Sequence, residues 1–175
     1  MSAQRKILVV YYSRSGTTQR IAELLASELG ADIEPVREPG AHATRAGARG
    51  YVRSLIDALC HRRVSVMPPV HDPSAYDAVV VGTPVWASCA SAPAIAWLTG
   101  HRARIRRLAL FCSFGGRGSH PALQQMAKAA GKSPLAVCAI TAYDLHRRID
   151  GDKRHRFAQK IIKRLARLQE TEWVM

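Results

Sequence analysis

Residues Lys6 to Thr18, KILVVYYSRSGTT, constrain the fold more tightly than any other part of the chain. An apolar run rich in Ile, Val and Tyr, residue types that suit a buried, pleated strand, stops at Tyr12. A turn of Ser, Arg, Ser, Gly and Thr follows. A helical pattern then begins at once, with Ile21, Leu24, Leu25 and Leu29 on one face. A strand that feeds a hydroxyl-rich turn and then a helix N-terminus forms an anion site. The first-turn N–H groups point outward, the helix dipole is positive there, and hydroxyls add donors. The stretch therefore predicts a ligand that carries a phosphate.

The rest of the chain repeats the alternation. Strands are expected at 6–12, 32–36, 77–83, 107–113 and 135–141, and helices at 17–29, about 47–61, 91–100, 119–131 and 151–169. Alternating β and α elements of this kind predict a doubly wound α/β fold, a parallel sheet with helices on both faces. The runs DAVVVGT at 77–83 and RLALFCS at 107–113 are nearly all apolar, as strands buried on two sides should be. Residues 38–74 are the least regular part and read as an extended crossover between the second and third strands. At 175 residues the whole chain, 1–175, is expected to form one domain.

No apolar run approaches the ~18 residues of a membrane helix. The N-terminal segment lacks the apolar region and cleavage site of a signal peptide, so a cytoplasmic location is expected. The four cysteines, Cys60, Cys89, Cys112 and Cys138, are spread out with no CxxC pair, and the seven histidines lack metal-ligand spacing. Reduced, partly buried thiols and no metal are expected. The net charge of +13 fits an anionic partner or a solvated basic surface. The basic face of the last helix, with Lys153, Arg154, Arg156, Lys160, Lys163, Arg164 and Arg167, reads as solvated surface.

Ligands of an open parallel sheet bind beyond the carboxyl ends of its strands. The loops to read are therefore Ser13-Arg14-Ser15-Gly16-Thr17-Thr18, Thr83-Pro84-Val85-Trp86-Ala87-Ser88-Cys89 and Ser113-Phe114-Gly115-Gly116-Arg117-Gly118-Ser119-His120. The first offers phosphate donors. The second offers a Pro turn and a large aromatic. The third offers glycines, where backbone approaches a flat ring closely, and another aromatic. A phosphate beside a flat heterocycle describes a nucleotide or flavin mononucleotide (FMN). Each piece also has a plain structural role: Ser and Thr as N-caps, Trp86 as core, the glycines as turn formers. The first turn is neither GxGxxG nor a Walker loop, no GxSxG elbow is present, and strand one ends in Tyr11-Tyr12 rather than a carboxylate pair. These absences remove dinucleotide Rossmann, P-loop, serine hydrolase and phospho-receiver readings.

VVYYSRSGTTQRIAELLA, DAVVVGTPVWASCASAPAIAWL and LALFCSFGGRGSHPAL resemble the phosphate loop and the two flavin loops of the flavodoxin-like family. The resemblance implies a five-stranded parallel sheet in order 2-1-3-4-5 that binds FMN non-covalently. It implies phosphate contacts from Ser13, Arg14, Ser15, Gly16, Thr17 and Thr18. Thr83, Pro84, Val85, Trp86 and Ala87, with Ser113, Phe114, Gly115, Gly116 and Gly118, would flank the ribityl chain and ring, Trp86 and Phe114 packing on it. No catalytic acid or base is identifiable; His120 and Tyr143 merely fall near the right loops.

Two departures from the family pattern carry expectations. Ser88-Cys89 stands where family members often have glycine, so a side chain there would crowd the ring; Cys89 reads as a structural thiol, with a flavin-adjacent thiol as the alternative. The chain is also strongly basic, whereas electron-carrier flavodoxins are acidic. One positive charge at ~6 Å in an effective dielectric near 20 favours a reduced flavin anion by about 3 kcal/mol before screening. Arg14, Arg117, Arg147 and Arg148 are expected in loops on the ligand side, and His101 to Arg107 at the opposite pole. An FMN-dependent oxidoreductase that takes hydride from NAD(P)H and reduces a quinone-like acceptor is the expected function. The alternatives are an electron shuttle to an acidic protein partner, and a basic interaction module without flavin. No nucleic-acid motif is present, so nucleic acid is not an expected partner.

Overall fold

The structure is a computed structural model and describes residues 5–39 and 64–173. Its strands are β1 (Ile7–Tyr11), β2 (Asp32–Pro35), β3 (Ala78–Trp86), β4 (Cys89–Ala90), β5 (Leu108–Phe114) and β6 (Val137–Thr141). Its helices are α1 (Thr17–Leu29), α2 (Ala92–His101), α3 (Ser119–Ala130), α4 (Ala142–Arg147) and α5 (Gly151–Trp173), with a 3-10 turn at Pro73–Ala75. The five parallel strands lie in the order β2-β1-β3-β5-β6. This is the expected 2-1-3-4-5 arrangement. One correction is β4, a two-residue strand antiparallel to the end of β3. A second is α4, in a stretch expected to be loop. The helix expected at 47–61 and Cys60 lie outside the described residues.

Two-sided burial explains the nearly continuous apolar strands. Alternate residues face opposite layers. Leu8, Val10, Val79, Val81, Leu110 and Cys112 pack with Trp97 and Leu98 of α2 and Met126 of α3. Ile7, Val9, Val80, Ala109 and Phe111 pack with Ile21 and Leu25 of α1 and Phe157, Ile161 and Leu165 of α5. Helix α1 ends where Gly30 takes a left-handed conformation (φ 59) and its N–H caps the Ala26 and Ser27 carbonyls.

The end of the crossover is fixed by one buried carboxylate. Glu34 on β2 accepts hydrogen bonds from the Val70 and His71 N–H groups at 2.7 and 2.9 Å, and its Oε2 lies 2.9 Å from His71 Nδ1. Met67 N–H donates to the Arg37 carbonyl at 2.7 Å. These bonds lay residues 67–71 beside β2 and cover an edge strand that would otherwise present open backbone groups.

Within the sheet, Gly82 of β3 stands opposite Phe111 of β5, and a Cβ at Gly82 would fall inside the Phe111 ring. Both residues are wholly enclosed, so neither can give way cheaply. Gly82→Ala is therefore expected to lower the unfolding free energy by about 1–3 kcal/mol, the usual cost of overpacking. Urea denaturation measures it, and a loss below about 0.5 kcal/mol would contradict this packing.

Candidate functional site

The carboxyl ends of β1, β3 and β5 carry the three segments singled out in the sequence, with one correction. Thr83–Trp86 and Ser113–Phe114, expected as loop, are the last residues of β3 and β5, so Pro84 sits in a strand opposite Ser113 rather than in a turn. In the first loop Ser13 Oγ accepts the Gly16 N–H at 3.1 Å, which curls the turn. Gly16 sits at φ 90 and is the N-cap of α1, so no side chain caps that helix. Its first-turn donors and the Ser15 and Thr17 hydroxyls, 3.4 Å apart, gather on the accessible side of the turn. Thr18 behaves differently. It is buried, and its Oγ1 lies 2.7 Å from Ser113 Oγ at the end of β5. Thr18 thus points inward, on the same face as Ile21, Ala22 and Leu25.

The second loop is a tight hairpin. Trp86 pairs with Cys89, and the two residues between them, Ala87 and Ser88, have φ of 48 and 63. Two consecutive left-handed residues make a type I′ turn, a geometry that ordinarily selects Asn-Gly. Tertiary packing holds it here. Gly118 of the third loop lies against Ser88 so closely that a Cβ there would overlap it. The Ala90 N–H donates to Gln125 Oε1 of α3 at 2.9 Å. Thr83 is buried under the hairpin, with its Oγ1 2.9 Å from Ser91 Oγ and accepting the Ser91 N–H at 2.9 Å.

The Thr18–Ser113 pair joins the first loop to the third, and the Ser88–Gly118 packing joins the second to the third. The three loops therefore meet at one edge. Trp86 is largely buried; Tyr12 meets its ring edge-on at 6.2 Å and the Arg14 guanidinium lies 5.5 Å from the ring centroid. Pro84, Val85 and Phe114 are half-buried, and Ala87, Gly115, Gly116 and Arg117 are exposed. Nothing stands within 4 Å of where a Cβ would lie at Gly115 or Gly116, so a flat group can approach their backbone. None of the three loops contains a carboxylate. His120 is exposed on the first turn of α3.

Arg147 and Arg148, expected in a loop, instead end a short helix: Arg147 is the last residue of α4 and Arg148 its left-handed cap (φ 57). Sequence reasoning missed α4, although Thr141-x-x-Asp144 is a capping-box signature, and both reciprocal bonds are formed at 2.9 Å. Tyr143 is exposed on this helix, under the Arg147 guanidinium. The helix turns its carboxylate inward: Asp144 is buried beside Lys153 Nζ at 2.7 Å. The Lys153 ammonium, aided by the Thr141 bonds, holds the Asp144 carboxyl below the usual carboxylate range against the opposing effect of burial. Asp150, also buried, is paired with Arg154, which reaches Glu28 of α1 at 2.9 Å.

Two of the described thiols, Cys112 and Cys138, are buried in the core. Burial pushes Cys112 up to about 12 and Cys138 up to about 11, values at which neither is a thiolate at neutral pH. Cys89 is half-buried and packs against the core layer of α2 and α3. Among the described residues no group of three or more His, Cys, Asp or Glu side chains could hold a metal ion. No described helix is long and apolar enough to cross a membrane.

Two sets of substitutions test this geometry. Thr18→Val strands the buried Ser113 hydroxyl and is expected to cost about 1–3 kcal/mol of stability, whereas Thr17→Val costs little. Equal losses would place Thr18 outward. Replacing Ala87-Ser88 by Asn-Gly removes left-handed strain and is expected to gain about 1–2 kcal/mol. A lower denaturation midpoint for that double variant would rule out the I′ turn.

The sequence model of the flavodoxin family matches residues 6–136, a span that contains all three loops. No curated protein sequence matches the chain. Among solved structures, the chain resembles a flavoprotein in complex with FMN from Lactobacillus acidophilus, at 20% identity and a TM-score of 0.68, over 82% of this chain and 97% of that one. The apo-form of the flavoprotein from the same organism aligns at 21% identity and a TM-score of 0.59, over 78% and 91% of the two chains. A WrbA-like flavodoxin from Agrobacterium tumefaciens aligns at 17% identity and a TM-score of 0.55, over 91% and 98%. These likenesses establish the fold, and the match over residues 6–136 shows that the chain belongs to the flavodoxin family.

Proposed function

We propose that this flavodoxin-family chain binds FMN at the carboxyl edge of its sheet and acts as an oxidoreductase. In this reading it takes hydride from NAD(P)H and passes electrons to a quinone-like or other small acceptor. The observation that carries the reading is the convergence of the three loops, tied by Thr18–Ser113 and Ser88–Gly118, around an uncapped helix N-terminus. The flavoprotein from Lactobacillus acidophilus described in complex with FMN has the same fold.

The residues present fit such a group. Ser15, Gly16 and Thr17 offer accessible donors for a phosphate, with the helix dipole behind them. Ser13 shapes that turn, and Thr18 anchors it to β5 through Ser113. Arg14 lies over Trp86, so both side chains border the same edge. The open backbone at Gly115 and Gly116 leaves room for a flat ring, flanked by the 83–87 segment and by Phe114. Bound FMN supplies the electron chemistry; the protein supplies binding, orientation and electrostatics. The three loops hold no carboxylate of their own, and the exposed Arg117 favours a ligand that gains negative charge on reduction.

A second reading is an electron shuttle to an acidic protein partner. It is favoured by the surface of α4 and the turn after it, where Tyr143 and Ile149 are exposed beside Arg147 and Arg148 while Asp144 and Asp150 are turned inward. An apolar centre with a cationic border suits a transient protein interface.

Adding FMN to the purified protein is expected to give a yellow, fluorescence-quenched 1:1 complex that NADH or NADPH bleaches without a separate reductase. Failure to bind FMN would overturn the whole reading. Binding without direct reduction would favour the shuttle. Thr17→Ala removes a donor to a charged phosphate and is expected to weaken FMN by about 1.5–3 kcal/mol, or roughly 10- to 150-fold. Arg117→Gln should shift the midpoint potential of bound FMN downward by about a few tens of millivolts; an upward shift would contradict the electrostatic argument.

A further inference from the structure

The redox reading leaves one strong feature of the molecule unused. From Lys153 to Gln169 the last helix contains seven Lys and Arg residues and no Asp or Glu. Helix α5 buries Phe157, Ala158, Ile161 and Leu165 against the sheet. On the far face Arg156, Lys160, Lys163 and Arg167 are all exposed, at spacings of four, three and four residues. That spacing places them in one straight line, about 16 Å long at 1.5 Å per residue. Lys153 and Arg154 are engaged with carboxylates, but these four form no ion pair among the described residues. The like-charged neighbours Arg156–Lys160 and Lys163–Arg167 work against the helix in the free protein. A polyanion laid along the line would relieve that repulsion.

The basic surface continues beyond the helix. Helix α5 runs back from α4, and its Arg164 guanidinium donates to the Leu135 carbonyl just ahead of β6. The Leu135 N–H in turn donates to the Leu108 carbonyl at 2.6 Å, which joins this corner to the loop before β5. That loop exposes Arg102 and Arg106. The line on α5 thus leads to a second cationic cluster at the pole opposite the three converging loops.

We infer that this surface binds the phosphate backbone of a nucleic-acid duplex, without reading its sequence. A rigid line of cations at short, regular intervals suits a polymer that carries one charge per ≈ 1.7 Å of axis. Four of the six cations named are Arg, whose planar fork fits phosphate oxygens in pairs. The apolar face of α5 is largely consumed by the core and leaves Leu168 as its exposed large hydrophobic, too little to seat the helix in a bilayer. Among the described side chains the large exposed aromatic, Tyr143, sits at the other pole, and the line on α5 is made of cations rather than rings, which suits backbone contact over base stacking. Backbone contact alone needs no recognition motif, in keeping with the absence of one.

The test uses the full chain and a mixed-sequence 24-base-pair DNA duplex, followed by fluorescence anisotropy from about 50 to 200 mM salt. With four phosphates neutralised the slope of log K against log salt is expected near −3.6, an affinity loss of about 150-fold across that range. Lys160→Glu with Lys163→Glu and Arg167→Glu should remove most of the binding and flatten the slope, with FMN affinity and circular dichroism unchanged. If the charge-reversed protein misfolds, Lys160→Gln with Lys163→Gln should lower the slope by about two. Three results would overturn the inference: no duplex binding at 50 mM salt, duplex binding that these substitutions leave intact, or stronger binding to anionic phosphatidylglycerol vesicles or poly-glutamate than to the duplex.

Discussion

Strand β3 is hydrogen-bonded to a parallel neighbour on each edge and buried on both faces, and the carboxyl edge of the molecule is built around where it stops. Its alternating side chains feed both core layers, which fixes the register of β1 and β5 beside it. Gly82 makes that close neighbourhood possible by leaving space for Phe111. Beyond Gly82 the strand continues past the layered core into a hairpin, and Thr83 ties the base of the hairpin to the start of α2. The hairpin tip then rests on Gly118, at the start of α3. A site assembled this way borrows its rigidity from the sheet, and needs little from the conformational preferences of its own residues.

That dependence explains what was legible in the sequence. β1, the turn and α1 could be read almost to the residue, because an apolar β-branched run, a left-handed Gly and a helical stripe all agree locally. The parallel strands at 78–86 and 108–114 were legible for the same reason. The hairpin was not, because Ala87-Ser88 lacks the Asn-Gly signature; its left-handed backbone is imposed by contacts with a loop thirty residues away. α4, six residues long, is too short to show a helical period, and its capping box, the one local signal it carries, went unread. The inward turn of Thr18 was available in the pattern, since Thr18, Ile21, Ala22 and Leu25 have the spacing of one helix face. A run of Ser and Thr disguised it: hydroxyls that bind a ligand and hydroxyls that pair in the core look alike until one is buried.

Charge is distributed with the same economy. Asp144 and Asp150 are folded inward against Lys153 and Arg154, and Glu38 accepts the Tyr12 hydroxyl at 3.2 Å. Arginines remain at the mouth, and a second basic surface covers α5 and the opposite pole. The line on α5 starts beside α4 and runs back towards the far pole, so its distal cations can serve a different ligand from the loops: a polyanion rather than a redox cofactor and its donor. The strong positive charge, unusual beside acidic electron carriers of the same fold, then has two sources with distinct consequences. Only the cations at the mouth bear on redox potential, because exposed charges more than about 8–10 Å away are largely screened at physiological salt.

The most direct test of the central claim, that FMN is held where the three loops converge, is a backbone amide NMR titration with FMN. The account predicts the largest chemical-shift changes at residues 13–18, 83–89 and 113–118, with α5 and the Arg102–Arg107 loop unmoved. Changes centred on α5 or on the 102–107 loop, or no changes at all, would contradict it.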